Sequence, residues 1–137
     1  MRTAIDSNIF SAIWTGESSV PMLLVQLEKA TQEGALLISP FVFTELYAYP
    51  GTTQELIHKL LEATGVLVDV KIDERVWTIA GQRFAHYAAR RRKATGEGPR
   101  RVCADFLIGA HALVQADRLL TLDPKVYMLD FPELRLL

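Results

Sequence analysis

The segment Val102–Asp123, VCADFLIGAHALVQADRLLTLD, constrains this chain more than any other. Between Phe106 and Ala116 only His111 and Gln115 are polar, and an apolar stretch of that length predicts a helix packed on most of its sides. Asp117-Arg118 breaks the pattern, Leu119 to Leu122 predicts a short buried strand, and Asp123-Pro124 ends it. Asp105 lies near the helix start and Asp123 at the strand end, and element ends are where α/β sheets usually carry functional groups. Taken singly, each acid has an ordinary explanation. An Asp in a helix's first turn complements the dipole, and Asp-Pro after a strand is common turn chemistry. The remaining segments weigh between these readings.

Thr3-Ala4-Ile5 is a short apolar run that opens on Asp6-Ser7-Asn8, followed at helical spacing by Ile9, Phe10, Ile13 and Trp14. This predicts strand, polar tip and helix, with Ser7 or Asn8 available as a cap. Ser18-Ser19 before Pro21 starts a second helix with Val20, Leu23, Leu24 and Leu27 on one face and Gly34 as its stop. Ala35 to Ile38 is a second strand, and Ser39-Pro40 reads as a cap followed by proline at the first helical position. The helix from Pro40 to about Tyr49 carries Glu45 as its only charge; such a residue either faces solvent or is held for a purpose. Thr52 and Glu55 have capping-box spacing ahead of a helix with Leu56, Leu60 and Leu61, closed by Gly65. Val66 to Val70 is a third strand. Asp73 caps a long helix with an inner stripe of Val76, Ile79, Ala80, Phe84 and Tyr87, and Thr95 to Pro99 is a loop. Phe131-Pro132 and Leu134 to Leu137 predict a last short strand at a sheet edge. Strands alternating with helices predict a parallel sheet covered on both faces.

At 137 residues, half of them apolar, 23% charged and with a formal net charge of −1, the chain reads as one domain over 1–137 with a real core. It is neither disordered nor a basic tail. The single cysteine, Cys103, excludes an internal disulfide and a Cys-rich zinc site, and its apolar neighbours predict a core position. The N-terminus lacks a signal peptide's layout and no apolar run is long enough to span a bilayer, so a soluble cytoplasmic protein with no membrane partner is expected.

In a parallel sheet the carboxyl ends of the strands share one edge. Asp6 and Asp123 end strands, and Glu45 and Asp105 sit within about two turns of helix starts on that same edge. Crowded carboxylates repel unless a cation shares the site. A hard divalent ion such as Mg²⁺ takes oxygen ligands and keeps several waters, and a pair of such ions can clamp an in-line phosphoryl displacement with water as nucleophile. No Ser, Cys or His nucleophile is then required. His58, His86 and His111 lack metal-ligand spacing and are expected to be structural or exposed.

Asp6-Ser7-Asn8 after a first strand, Glu45 in Phe-Thr-Glu-Leu, Asp105 in Ala-Asp-Phe-Leu-Ile-Gly-Ala, and Leu-Leu-Thr-Leu-Asp ending at Asp123 together resemble the PIN domain, over nearly the whole chain. The closing Phe-Pro-Glu-Leu-Arg-Leu is similar to the end of VapC-type toxins of toxin–antitoxin pairs. The resemblance implies a three-layer α/β/α fold with a central, mainly parallel sheet of four to five strands. It also implies an endoribonuclease using one or two Mg²⁺ or Mn²⁺ ions and leaving 5′-phosphate and 3′-hydroxyl ends. On that basis Asp6 and Asp105 are the principal metal ligands, Glu45 and Asp123 complete the catalytic acids, and Asn8 and Thr121 orient ligands or substrate. Leu122 departs from the basic or polar residue many relatives carry before the last Asp.

The implied partners are RNA, a cognate antitoxin whose Arg would cover the acids, and a second copy of the chain, for which the first two helices offer apolar surface. Seven of the fifteen Lys and Arg residues fall between Arg83 and Arg101, with only Glu97 opposing them locally. Of these, Arg90, Arg91, Arg92, Lys93, Arg100 and Arg101 are the expected RNA-backbone contacts. A haloacid dehalogenase-type phosphohydrolase needs a second acid where Asn8 stands, and Lys125 is a poor match for a receiver domain's lysine. The remaining alternative is a catalytically silent PIN-fold module that binds RNA or protein; its mark would be a missing acid, and none of the four is missing.

Overall fold

Strands of three or four residues set the frame: β1 (Arg2–Ile5), β2 (Ala35–Ile38), β3 (Val66–Val68) and β4 (Arg118–Leu120). The computed structural model describes residues 1–100 and 103–137. The four strands form one sheet in the order β3-β2-β1-β4, parallel at each pairing. Parallel neighbours need crossovers, supplied by α1 (Ser7–Thr15), α2 (Val20–Glu33), α3 (Pro40–Leu46), α4 (Gln54–Thr64), α5 (Glu74–Thr95) and α6 (Cys103–Gln115). The expected three-layer α/β/α architecture is the observed one. Register places Ile5 level with Leu120, and Ile38 level with Val68. The strands' carboxyl ends therefore make a single edge, from which α1 and α3 depart.

Several caps follow the sequence signals. The Ser39 hydroxyl accepts from the Val42 N–H at 3.2 Å with Pro40 at the first helical position, and Asp73 accepts from the Arg75 N–H at 2.8 Å. The α4 cap is Thr53, which accepts from the Leu56 N–H at 3.2 Å, and not Thr52. Thr52 is engaged elsewhere: its hydroxyl donates to the Tyr49 carbonyl at 2.7 Å, tying off the turn after α3. Gly34 ends α2 where the chain start crosses; a Cβ there would lie 1.8 Å from the Met1 carbonyl oxygen.

Four expectations are corrected. β4 begins at Arg118 and stops at Leu120, because Arg118 is buried and satisfied: its guanidinium donates to Thr3 Oγ1 at 2.9 Å and pairs with Glu33. The segment after Asp123 forms an unforeseen helix, α7 (Pro124–Asp130), with Pro124 in its first turn. The last strand reduces to an isolated bridge between Leu119 and Leu136, so the described sheet has four strands. Cys103 is exposed, since it opens α6 before that helix enters the core.

The core between the α5–α6 pair and the C-terminal segment is aromatic. Phe106 lies 5.2 Å from Phe84, 5.5 Å from Tyr87 and 6.3 Å from Phe131, ring centre to ring centre. Gly109 admits the Phe131 ring, which a Cβ would meet at 2.6 Å. Among the described residues no helix is long and apolar enough to cross a membrane.

Candidate functional site

Asp6 is the first residue beyond β1, and its N–H still reaches the Leu120 carbonyl at 3.0 Å. It stands at the N-cap of α1, yet its carboxylate makes no capping bond. Instead Oδ2 accepts from the Thr121 hydroxyl at 2.8 Å and the Tyr127 hydroxyl at 2.9 Å, and the residue is only 5% exposed. Thr121 Oγ1 also accepts from Asn8 Nδ2 at 3.2 Å and the Asp123 N–H at 3.1 Å, while Asn8 Oδ1 accepts from the Leu122 N–H at 3.2 Å. These bonds fasten the residues after β4 to the tip between β1 and α1. Asn8 and Thr121 thus join the segment carrying Asp123 to the one carrying Asp6.

Asp6, Asp105 and Asp123 line one cavity of about 160 Å³ with Ser7, Asn8, Val126 and Tyr127. Glu45 lines the adjoining cavity, which shares Ser7 and Asn8 with the first. The four acids come to one edge but divide between two adjacent hollows. Their fields overlap: burial raises the Glu45 carboxyl above its ordinary range, and the charges of Asp6 and Asp105 add to the rise, partly offset by Ser7. Burial likewise pushes the Tyr127 phenol up, assisted by Asp6, Asp105 and Glu45. Tyr127 therefore stays protonated and donates.

Tyr127 is the residue of this candidate site that sequence reading missed. Its signal was Asp123-Pro124, which can start a helix as well as end a strand; one turn of helix then brings position 127 back over the acid.

Among the described residues, no three His, Cys, Asp or Glu side chains are gathered so as to cage an ion by themselves. A Mg²⁺-like ion does not require that, since one or two carboxylates with retained waters suffice. The donor set fits such an ion: it is all hard oxygen, and Glu45 Oε2 is buried with no hydrogen-bond partner among the described residues. An unpaired buried carboxylate oxygen is costly unless a cation or donor meets it.

Three of the six described basic residues between Arg83 and Arg100 are ion-paired, and beyond the local Glu97 the acids that oppose them are distant in sequence. Arg83 pairs with Glu133 at 2.6 Å and donates to the Asp130 carbonyl at 2.7 Å; Arg90 pairs with the buried Asp130 at 2.6 Å; Arg91 pairs with Glu97 at 2.9 Å. Asp130 and Glu133 come from the end of α7 and just beyond it, out of reach of any local reading. Arg92, Lys93 and Arg100 make no ion pair among the described residues, and Arg101 lies outside them. His58 and His86 are exposed; His111 is buried, 3.1 Å from Asp69 through Nε2.

No curated protein matched the chain by sequence. Solved structures match its fold at low identity. VapBC2 from Rickettsia felis, solved bound to a DNA fragment from the promoter, is 20% identical with a TM-score of 0.66, covering 100% of this chain and 98% of that one. VapBC-1 from nontypeable Haemophilus influenzae is 20% identical with a TM-score of 0.64, covering 100% and 97%. FitAcB from Neisseria gonorrhoeae is 20% identical with a TM-score of 0.64, covering 98% and 95%. The family description "PIN domain" matches residues 3–132, with the acids already described falling inside the match, and the chain belongs to the PIN domain family.

Proposed function

We propose that this chain, acting as one domain over 1–137, is a metal-dependent endoribonuclease and the toxin of a toxin–antitoxin pair. The observation that carries the reading is the buried Asp6, held by Thr121 and Tyr127 in one cavity with Asp105 and Asp123. Asp6 and Asp105 would hold the ion, with Asp123 and Glu45 completing the acidic site. One or two Mg²⁺ or Mn²⁺ ions would supply charge neutralisation at the phosphate and an activated water. The chain's own residues do the rest. Thr121 and Tyr127 turn Asp6 and occupy its Oδ2, Asn8 pins the segment that carries Asp123, and burial at Asp6 and Glu45 keeps competing water low. Arg92, Lys93, Arg100 and Arg101, with Arg90 and Arg91 in supporting ion-paired positions, are the proposed contacts to RNA phosphates.

The toxin reading is supported by relatives in fold that are VapBC proteins. It implies a cytoplasmic protein with a cognate antitoxin and a homodimer. Cleavage of a single-stranded or looped RNA in Mg²⁺ or Mn²⁺, lost in EDTA and in Asp6→Asn, tests the enzyme. Full activity in EDTA would show that the acids serve another purpose.

A further inference from the structure

We infer that the cavity beside the acid site is a stacking subsite for an unpaired nucleobase flanking the scissile phosphate, with Trp14 and Tyr49 as its platform. This deepens the nuclease reading and rests on it. Ser7, Ser11 and Trp14 follow one another on α1 at helical spacing of four and three residues, and so lie along one face. Glu45 and Tyr49 stand four apart on α3 and the turn that follows it. All five line a hollow of about 280 Å³, together with Asn8 and Leu46. Ser7 and Asn8 belong at once to this hollow and to that of the three aspartates. Trp14 and Tyr49 also line the next hollow, of about 330 Å³, with Pro50, Gly51 and Thr52. A continuous track thus leads from the acids to an aromatic pair and beyond it.

The pair is held in place. Ring centres are 4.9 Å apart at 54°, and the Tyr49 hydroxyl donates to the Ser11 carbonyl at 3.1 Å and lies 3.2 Å from the Ser11 hydroxyl. Both rings are half-buried, so each keeps part of its surface for a ligand. From Ser7 to Trp14 the helix rises about 10 Å, which suits a neighbouring nucleotide and not the scissile one. Single-stranded RNA is read largely by stacking unpaired bases on aromatic rings. The polar groups of Ser7, Ser11 and Glu45 in the same lining suit a flat ring with polar edges better than an aliphatic side chain. The occupant that reaches this hollow from the acid site is the strand being cut.

The chain has two tryptophans, and Trp77 is half exposed on α5, away from this hollow. Trp77→Phe therefore leaves Trp14 as the sole reporter. In EDTA, a single-stranded RNA oligonucleotide should quench Trp14 emission. Removing one base next to the cleavage position should abolish the quench and weaken binding by about tenfold. With metal, Trp14→Leu should raise KM with kcat little changed and erase the difference between intact and abasic RNA, while Trp14→Phe should restore it. Equal quenching by intact and abasic RNA, or discrimination that survives Trp14→Leu, overturns the subsite. A protein that cuts RNA without base-dependent quenching keeps the nuclease reading and loses this one. A protein that shows the quench but cuts nothing does the reverse.

Discussion

The polar cluster around Asp69 and the acid edge around Asp6 are both built on carboxylates, and they differ in whether the described residues finish them. Asp69, just past β3, receives Gln115 Nε2 at 2.7 Å and Arg2 at 3.5 Å on Oδ2, beside His111 Nε2 at 3.1 Å. Gln115 then donates to the Lys71 carbonyl at 3.0 Å and accepts from the Asp73 N–H at 2.8 Å. That network is closed on itself. At the acid edge Asp6 is equally well held on one oxygen, yet three aspartates face a common hollow and Glu45 Oε2 has no partner among the described residues. Buried polar groups are normally satisfied, and the exceptions call for a ligand or an ion. The Asp69 cluster is complete in itself, and the acid edge is the one that the proposed function fills with an ion.

The sharpest way to break the comparison is to neutralise one acid on each side. Asp6→Asn should cut metal-dependent RNA cleavage by more than the roughly 10–100-fold that loss of a ligand's supporting partner costs. Its melting temperature should hold or rise, because carboxylate repulsion is relieved. Asp69→Ala should do the opposite: cleavage by the folded protein persists, and the denaturant midpoint falls by an amount equivalent to about 1–3 kcal/mol, because His111 and Gln115 lose a buried acceptor. A large activity loss in Asp69→Ala with unchanged stability would erase the distinction.

Next comes Tyr127→Phe, which deletes one of the two hydroxyls on Asp6 Oδ2 and keeps the ring in the core. Ion affinity, read by calorimetry on metal-stripped protein, should fall by about 10–100-fold. Unchanged affinity would reduce Tyr127 to packing.

Acidification should move the two regions in opposite directions. Glu45, raised by burial and then by Asp6 and Asp105, binds its proton more tightly in the folded chain. The metal-free protein therefore gains stability from this group as pH falls through the raised value, fully by its ordinary 4.5. His111 is lowered, chiefly by burial, although Asp69 opposes the shift. Its contribution is complete above the ordinary 6.5 and is lost as pH falls from there toward the folded value. Stability–pH curves of Glu45→Gln and His111→Gln, each subtracted from the unaltered protein's, should slope with opposite signs.

The smallest expected effect separates paired from unpaired arginines. Replacing Arg92 and Lys93 by Gln should flatten the log-log salt dependence of RNA binding by about 0.7 for each phosphate that is no longer neutralised, with stability unchanged. Arg90→Gln should instead lower stability by about 1 kcal/mol, since it removes an ion pair to the buried Asp130. A salt slope left unchanged by the Arg92 and Lys93 replacements would return both residues to ordinary surface.

What the sequence by itself determined is whatever acts within a few residues. Periodicity placed the helices and the first strands, Ser39 and Asp73 announced their caps, and the order of elements sent Asp6, Glu45, Asp105 and Asp123 to one edge. Local signals also misled where two readings share a spelling: Asp123-Pro124 reads as a stop and is also the start of α7, and Arg118 reads as a break although it opens β4. Only the tertiary structure decided which distant groups meet. Tyr127 reaches Asp6 across 121 positions, Glu33 neutralises Arg118 across 85, and Glu133 and Asp130 take up Arg83 and Arg90 across 50 and 40. It also decided that Glu45 lines the neighbouring hollow, next to Trp14 and Tyr49. The reason is physical. A cap or an apolar stripe is set by backbone geometry that repeats every few residues, whereas a side-chain hydrogen bond needs two atoms within about 3 Å, and only strand register and helix packing bring distant groups that close.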